Sequence, residues 1–271
     1  MATRRKNPTS LNTVTLKNAP FDKKLELAAE AGFDQVGLWF SDIDAYCTEG
    51  RTLTDLRRKL SLLGLGVAEI CFLGGWQLVA DEQRKCAFAQ ARQRFEQATE
   101  LKANCVIACS GFHGTSDDPQ FEQAVSDFVA LCEVASPLKV KVAYEFFDNF
   151  ATAAELIRKA DQRNGGMVID FFHFWRPQSD IALLERFPVS KVFCVHIDDS
   201  IDVPPSQAQD SNRTFPGKGV IPVKRMARSL NRRGYRGPYS LELFGPIAWD
   251  ACPEEVVKEG LRAVRATAIP R

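Results

Sequence analysis

The feature that most limits what this chain can fold into is an alternation repeated along its length. A short apolar run is followed by a loop and then by a longer stretch with apolar residues at helical spacing. Eight runs read as strands, at 11–16, 35–40, 66–73, 104–109, 140–147, 166–170, 191–196 and 239–243. Helical patterns follow them, at 21–32, 53–64, 81–102, 121–135, 151–162, 180–187, 221–234 and 252–268. Continuously apolar runs suit strands covered on both faces, as in a parallel sheet whose crossovers are helices. Gly32, Gly64 and Gly234 stand where a helix stop needs positive φ. Eight strand–helix units in 271 residues match a closed (β/α)8 TIM barrel, an α/β fold of one domain. The competing fold, an open doubly wound sheet, carries a glycine-rich first turn, and LNTVTLKNAPFD has none. No linker or composition break divides the chain, so 10–271 reads as the barrel and 1–9 as a mobile lead-in.

Composition excludes several other classes. With 45% apolar residues and a net charge of +1, the chain is not a disordered one. The balance of 35 basic and 34 acidic residues leaves no basic surplus for holding nucleic acid or a membrane surface. No run approaches the ~18 apolar residues of a membrane span. The basic start MATRRKNPTS lacks the apolar core of a signal peptide. Eight cysteines include no C-x-x-C pair, and several lie in apolar runs such as NCVIAC and KVFCVH. They read as reduced, buried thiols in a cytoplasmic protein.

Charged residues that end such strands need a cause. Strand five ends in Glu145, strand six in Asp170, strand seven in His196 and strand eight in Glu242. In a barrel the C-terminal strand ends converge on one mouth, where the active site lies. A salt bridge explains any one of these residues; four in four successive strands form a pattern. Carboxylates so close together cannot all stay ionised without a compensating cation. An O,O,O,N donor set suits one divalent metal ion, Mn, Mg, Co or Zn, rather than a thiolate zinc.

The segments VKVAYEFF, VIDFFHFW, VHIDDSIDVPP…NRTFPGKGVI and YSLELFGP resemble the xylose isomerase-like TIM-barrel superfamily of sugar isomerases and epimerases, and within it the inosose isomerase branch. The likeness is dense over 138–257 and looser before. It implies one divalent metal held by Glu145, Asp170, His196 and Glu242, with Glu145 and Glu242 also serving as catalytic proton-transfer bases. The expected reaction is isomerisation or epimerisation of a sugar or inosose through a metal-stabilised enediolate. Loss of a β-hydroxyl from the same species would be dehydration, so a dehydratase of the 3-dehydroshikimate or inosose type is the alternative. A barrel that binds a sugar without turning it over is a third reading. Nucleases of the same superfamily use a zinc cluster with many histidines, whereas this chain has three histidines and no basic excess.

Other polar residues near the mouth carry expectations of their own. By the family likeness, His173 contacts a substrate hydroxyl. Arg213 can aim its planar fork at substrate oxygens. Asp198 and Asp199 are candidates to orient His196, as metal-bound imidazoles require. Glu69, a charge inside VAEICF, is a candidate to reach the substrate. Trp39, Trp76 and Trp175 follow strands two, three and six and could wall a carbon ring's apolar faces, although tryptophans more often serve packing. Lys218 in GKG reads as part of a flexible turn. Many superfamily members carry a glutamate near the end of strand two, where this chain has Gly37 and Trp39. The expected partner is a small-molecule sugar or cyclitol substrate, with no nucleic acid and no membrane; a homo-oligomer is left open.

Overall fold

The computed structural model describes residues 6–269. Eight strands close into a barrel: Thr9–Asn12, Gln35–Trp39, Gly66–Leu73, Val106–Cys109, Val142–Glu145, Gly165–Asp170, Val192–Ile197 and Tyr239–Leu241. Every neighbouring pair is parallel, and the ring shuts where the first strand meets the eighth, with Thr9 opposite Tyr239. The outer ring of helices is the expected one: Phe21–Ala31, Leu53–Leu62, Asp81–Glu100, Phe121–Ala135, Phe150–Ala160, Ile181–Arg186, Val223–Arg232 and Pro253–Ala268. Each turns an apolar stripe inward, as Leu25, Leu27 and Ala28 do on the first helix and Val256, Val257, Leu261 and Val264 on the last. Gly32, Gly64 and Gly234 end their helices at φ values of 92°, 70° and 98°.

The barrel interior is small-residue and sulfur-rich. Cys71, Cys105, Ile107, Ala143, Val168, Phe193 and Cys194 pack there as one cluster, with Trp39 and Cys109 against its upper edge. This plug fills the lower barrel, and the strands' C-terminal ends above it form the mouth.

Two boundaries at the start of the barrel differ from the sequence expectation. The first strand ends at Asn12 and does not run to residue 16; the Asn12 side chain accepts a hydrogen bond from the Val14 N–H and turns the chain into a 3-10 helix, Thr13–Leu16. The barrel begins before residue 10. Asn7 is buried and donates to the Tyr235 and Gly237 carbonyls at 3.1 and 3.0 Å, and Thr9 already pairs in the sheet. These bonds fix a segment expected to be mobile; residues 1–5 of that expected lead-in lie outside the described residues. Short helices, Phe40–Thr48, Phe171–Trp175 and Pro246–Trp249, stand in the loops at the mouth. After the seventh strand, Asp199–Ser200 pairs antiparallel with Arg213–Thr214 as a small ribbon. Among the described residues no helix is long and apolar enough to cross a membrane.

Candidate metal centre

The four strand-end residues meet. Glu145, Asp170, His196 and Glu242 each offer an atom such that all lie within 4.8 Å of one another, and all four residues are buried. Their common centre is His196 Nδ1, which lies 3.1 Å from Glu242 Oε2, 3.4 Å from Glu145 Oε1 and 3.9 Å from Asp170 Oδ2. Sequence position explains the convergence. Asp170 and His196 are opposite each other in the sixth and seventh strands, and Glu145 and Glu242 cap the fifth and eighth. Neither ring nitrogen of His196 has a hydrogen-bond partner, although both are buried. Buried polar atoms are normally paired. An imidazole surrounded by carboxylate oxygens, none aligned to accept a hydrogen bond from it, fits a divalent cation of the O,O,O,N type.

The second oxygen of each carboxylate is occupied. Asp170 Oδ1 accepts the His173 backbone N–H at 3.0 Å and so caps the helix Phe171–Trp175. Asn12 Nδ2 donates to Glu242 Oε1 at 2.9 Å, and the Cys109 thiol donates to Glu145 Oε2 at 3.2 Å. Asn12 is itself fixed, since its Oδ1 accepts Trp39 Nε1 at 2.7 Å as well as the Val14 N–H.

Arg213 arrives from the ribbon and is buried over the cluster. Nη1 donates to Asp170 Oδ2 at 2.8 Å and to Asp198 Oδ2, while Nη2 reaches Asp210 Oδ1 at 2.9 Å and His173 Nε2 at 3.1 Å. The guanidinium lies against the rings of Phe172 and Phe244. Expected as a substrate contact, Arg213 has its donors turned onto protein carboxylates and balances their charge. An arginine only donates, so His173 Nε2 accepts and the ring proton sits on Nδ1. That Nδ1 is buried and has no partner, a free donor as a substrate hydroxyl contact requires.

The electrostatics follow from this crowding. Burial opposes ionisation of Asp170, but the Arg213 charge and the two nearby histidines hold its carboxyl well below the usual range. Glu145 is likewise held down, burial being outweighed by its close approach to and charge interaction with His196. Burial disfavours the imidazolium of His196, yet the Glu242 charge and the close approach of Cys71, Glu145 and Glu242 push it well above its ordinary value. Asp198, which has lost more to burial than Arg213 returns, is pushed well up.

Three secondary expectations are corrected. Asp198 does not orient His196; it lies two residues farther along the same face of the chain and pairs with Arg213. Asp199 does not approach His196 either. Its carboxylate collects the backbone N–H groups of Ser200, Gly217, Gly219 and Ile221 at 2.8–3.0 Å, so the GKG turn is pinned and not flexible. Glu69 sits below the mouth, wholly buried, taking Ser240 Oγ on Oε1 at 2.6 Å and the Cys194 thiol on Oε2 at 3.3 Å. Its Oε1 lies 4.0 Å from His196 Nε2, and burial holds its carboxyl up toward the protonated form. Gly37 is what makes room for it: a Cβ there would lie 1.9 Å from Glu69 Oε1.

Trp39 is half-buried at the rim, edge-on to Phe72 and Phe244. Trp76 is packing, buried against Phe128 and Tyr144. His113 stays outside the centre, exposed and bonded to Asp148 at 2.6 Å. The sequence reading missed Asn12 and Cys109. An amide ending the first strand was the available signal for Asn12; a cysteine ending an apolar strand gives none.

Comparison with known proteins agrees with the barrel fold. The family model described as xylose isomerase-like TIM barrel matches residues 25–267. An inosose isomerase of Halalkalibacterium halodurans is 37% identical over 141 residues, covering 49% of this chain and 50% of that protein. A 3-dehydroshikimate dehydratase of Pseudomonas aeruginosa is 29% identical over 269 residues, covering 94% of this chain and 41% of that protein. The chain thus spans half the length or less of these curated relatives. Among solved structures, the IOLI protein with a bound zinc atom superposes at a TM-score of 0.88 with 23% identity, covering 96% of this chain and 98% of that one.

Proposed function

The chain belongs to the xylose isomerase-like TIM barrel family, and on that footing we propose that it is a divalent-metal-dependent isomerase or epimerase of a sugar or inosose. The observation that carries the reading is the ring of inward carboxylate oxygens around a buried, unpartnered His196 at the barrel mouth. Glu145, Asp170, His196 and Glu242 would hold the ion. When bound, it supplies a charge that orients neighbouring carbonyl and hydroxyl oxygens and steadies negative charge developing on them.

The protein's own groups do the rest. Glu145 and Glu242 approach His196 Nδ1 from two different strands, so a substrate carbon between them has a carboxylate on each side. One takes the proton from the carbon beside the carbonyl; that carboxylate or the other returns it. Return to the former carbonyl carbon, with transfer of the hydroxyl proton to the carbonyl oxygen, moves the ketone. Return to the opposite face of the same carbon inverts it. His173 Nδ1–H holds a substrate hydroxyl, and Arg213 keeps Asp170 ionised beneath it. Burial of the cluster excludes bulk water from the carbanion-like species.

A second reading, dehydration of a 3-dehydroshikimate-like ring acid, draws support from the likeness to the dehydratase, which extends over 94% of the chain. One experiment separates them. The zinc- or manganese-loaded protein is incubated in D₂O with inososes, ketoses and 3-dehydroshikimate. Deuterium at the carbon beside the carbonyl of an inosose or ketose supports isomerisation; aromatic ultraviolet absorbance from 3-dehydroshikimate supports dehydration. Neither signal with any substrate, despite bound metal, overturns both.

A further inference from the structure

Each carboxylate of the centre has one oxygen held from outside by a neutral donor and the other facing His196, the inward oxygen of Asp170 also accepting Arg213 Nη1. The holders are the Asn12 amide for Glu242, the Cys109 thiol for Glu145 and the His173 backbone N–H for Asp170. The inward oxygens, Glu242 Oε2, Glu145 Oε1 and Asp170 Oδ2, are the ones near His196 Nδ1. Two of the donors come from the first and fourth strands, which supply no ligand themselves.

We propose that Asn12 and Cys109 are positioning residues that restrict Glu242 and Glu145 to one inward oxygen each. This rests on the metal-centre reading above and adds to it. A carboxylate free to turn can offer either oxygen or both. Once one oxygen is engaged, the other is left for the ion or for a substrate proton, and the space that a second oxygen would fill stays open to substrate. The Asn12 amide cannot be reversed without loss. Its Oδ1 takes two N–H donors, from Trp39 and Val14, so Nδ2 must face Glu242. The half-buried Trp39 indole at the rim is thereby linked through one amide to a proton-transfer carboxylate.

The test is zinc affinity of the full chain, measured by competition with a chromophoric chelator, in double-mutant cycles. Asn12→Leu and Cys109→Ala are each expected to weaken zinc binding about tenfold, the usual scale for groups that orient metal ligands. In the Glu242→Gln background Asn12→Leu should cost nothing further, while in the Glu145→Gln background it should keep its full effect. Cys109→Ala should show the mirror pattern. Should Asn12→Leu fail to fold, Trp39→Phe keeps the ring, removes the N–H that fixes Asn12, and should weaken zinc in the same Glu242-dependent way. Equal losses in every background would mean a merely structural role and overturn the inference, as would no loss at all. Wild-type protein that takes up no zinc would sink the metal centre itself, whereas a zinc-binding, active wild type with additive cycles would sink only the positioning roles.

Discussion

Glu145 and Glu242 are separable from the fold, because each lies at the end of its strand and not within the barrel plug. Glu145→Gln or Glu242→Gln keeps side-chain volume and removes the proton acceptor. Activity is expected to fall at least about 100-fold, the scale of a lost general base, with the circular dichroism spectrum unchanged. Wild-type turnover in either variant would remove the two-carboxylate assignment. Gly37 makes a different kind of prediction. Alanine there drives its Cβ into Glu69, and Asn12 Cα at 3.3 Å leaves little room to yield. Gly37→Ala should destabilise by about 1–3 kcal/mol, and Glu69→Ala in the same chain should return part of it, read from urea midpoints. At this scale, what could be read from sequence was charge out of place: a carboxylate or imidazole ending an apolar strand announces itself. Asn12 and Cys109 were hidden because a neutral donor at a strand end costs little and signals little. The partner of Asp198 was hidden because it depends on where Arg213, 15 residues on, comes back.

Among the elements, the ribbon after the seventh strand has the most to answer for, since it delivers Arg213 to the cluster. Asp199 anchors it, gathering four backbone N–H groups from its own turn and from 217–221. Asp199→Ala would leave those donors without an acceptor. We expect a loss on the order of 3 kcal/mol and faster amide exchange at Gly217, Gly219 and Ile221. Unchanged exchange at those amides would mean that the turn is held by something else. The strands and outer helices were legible because period and glycine stops agree along most of the chain. The short helices at the mouth were not. FFHFW has no helical period of its own, and its helix exists because Asp170, fixed by the site, caps it.

For the molecule as a whole, the proposed metal centre would tie stability to pH and to metal. His196 has a folded-state value well above 6.5, because its carboxylate neighbours outweigh burial. A raised value means that this stabilisation is complete below pH 6.5 and drains away as pH climbs through the folded value. Glu145 and Asp170, held low, contribute with the opposite sign and weaken only as pH falls through the acid range. A metal ion needs the neutral imidazole. The chelator-treated protein should therefore melt at progressively lower temperature as pH rises from about 6 to 9, while the zinc-loaded protein does not, so the gap between them widens. A gap constant across that range in calorimetry would remove His196 from the ligands.

The ring closes between Thr9 and Tyr239, and the amide of Asn12 meets its carboxylate across 230 positions of sequence. Contacts so distant along the chain form slowly and late. A ribosome must therefore have released nearly all of this polypeptide before the last stave can seat. The four proposed ligands all lie at or beyond residue 145, so on that reading a nascent chain lacks the full set until its second half is made, and loading with metal would follow synthesis.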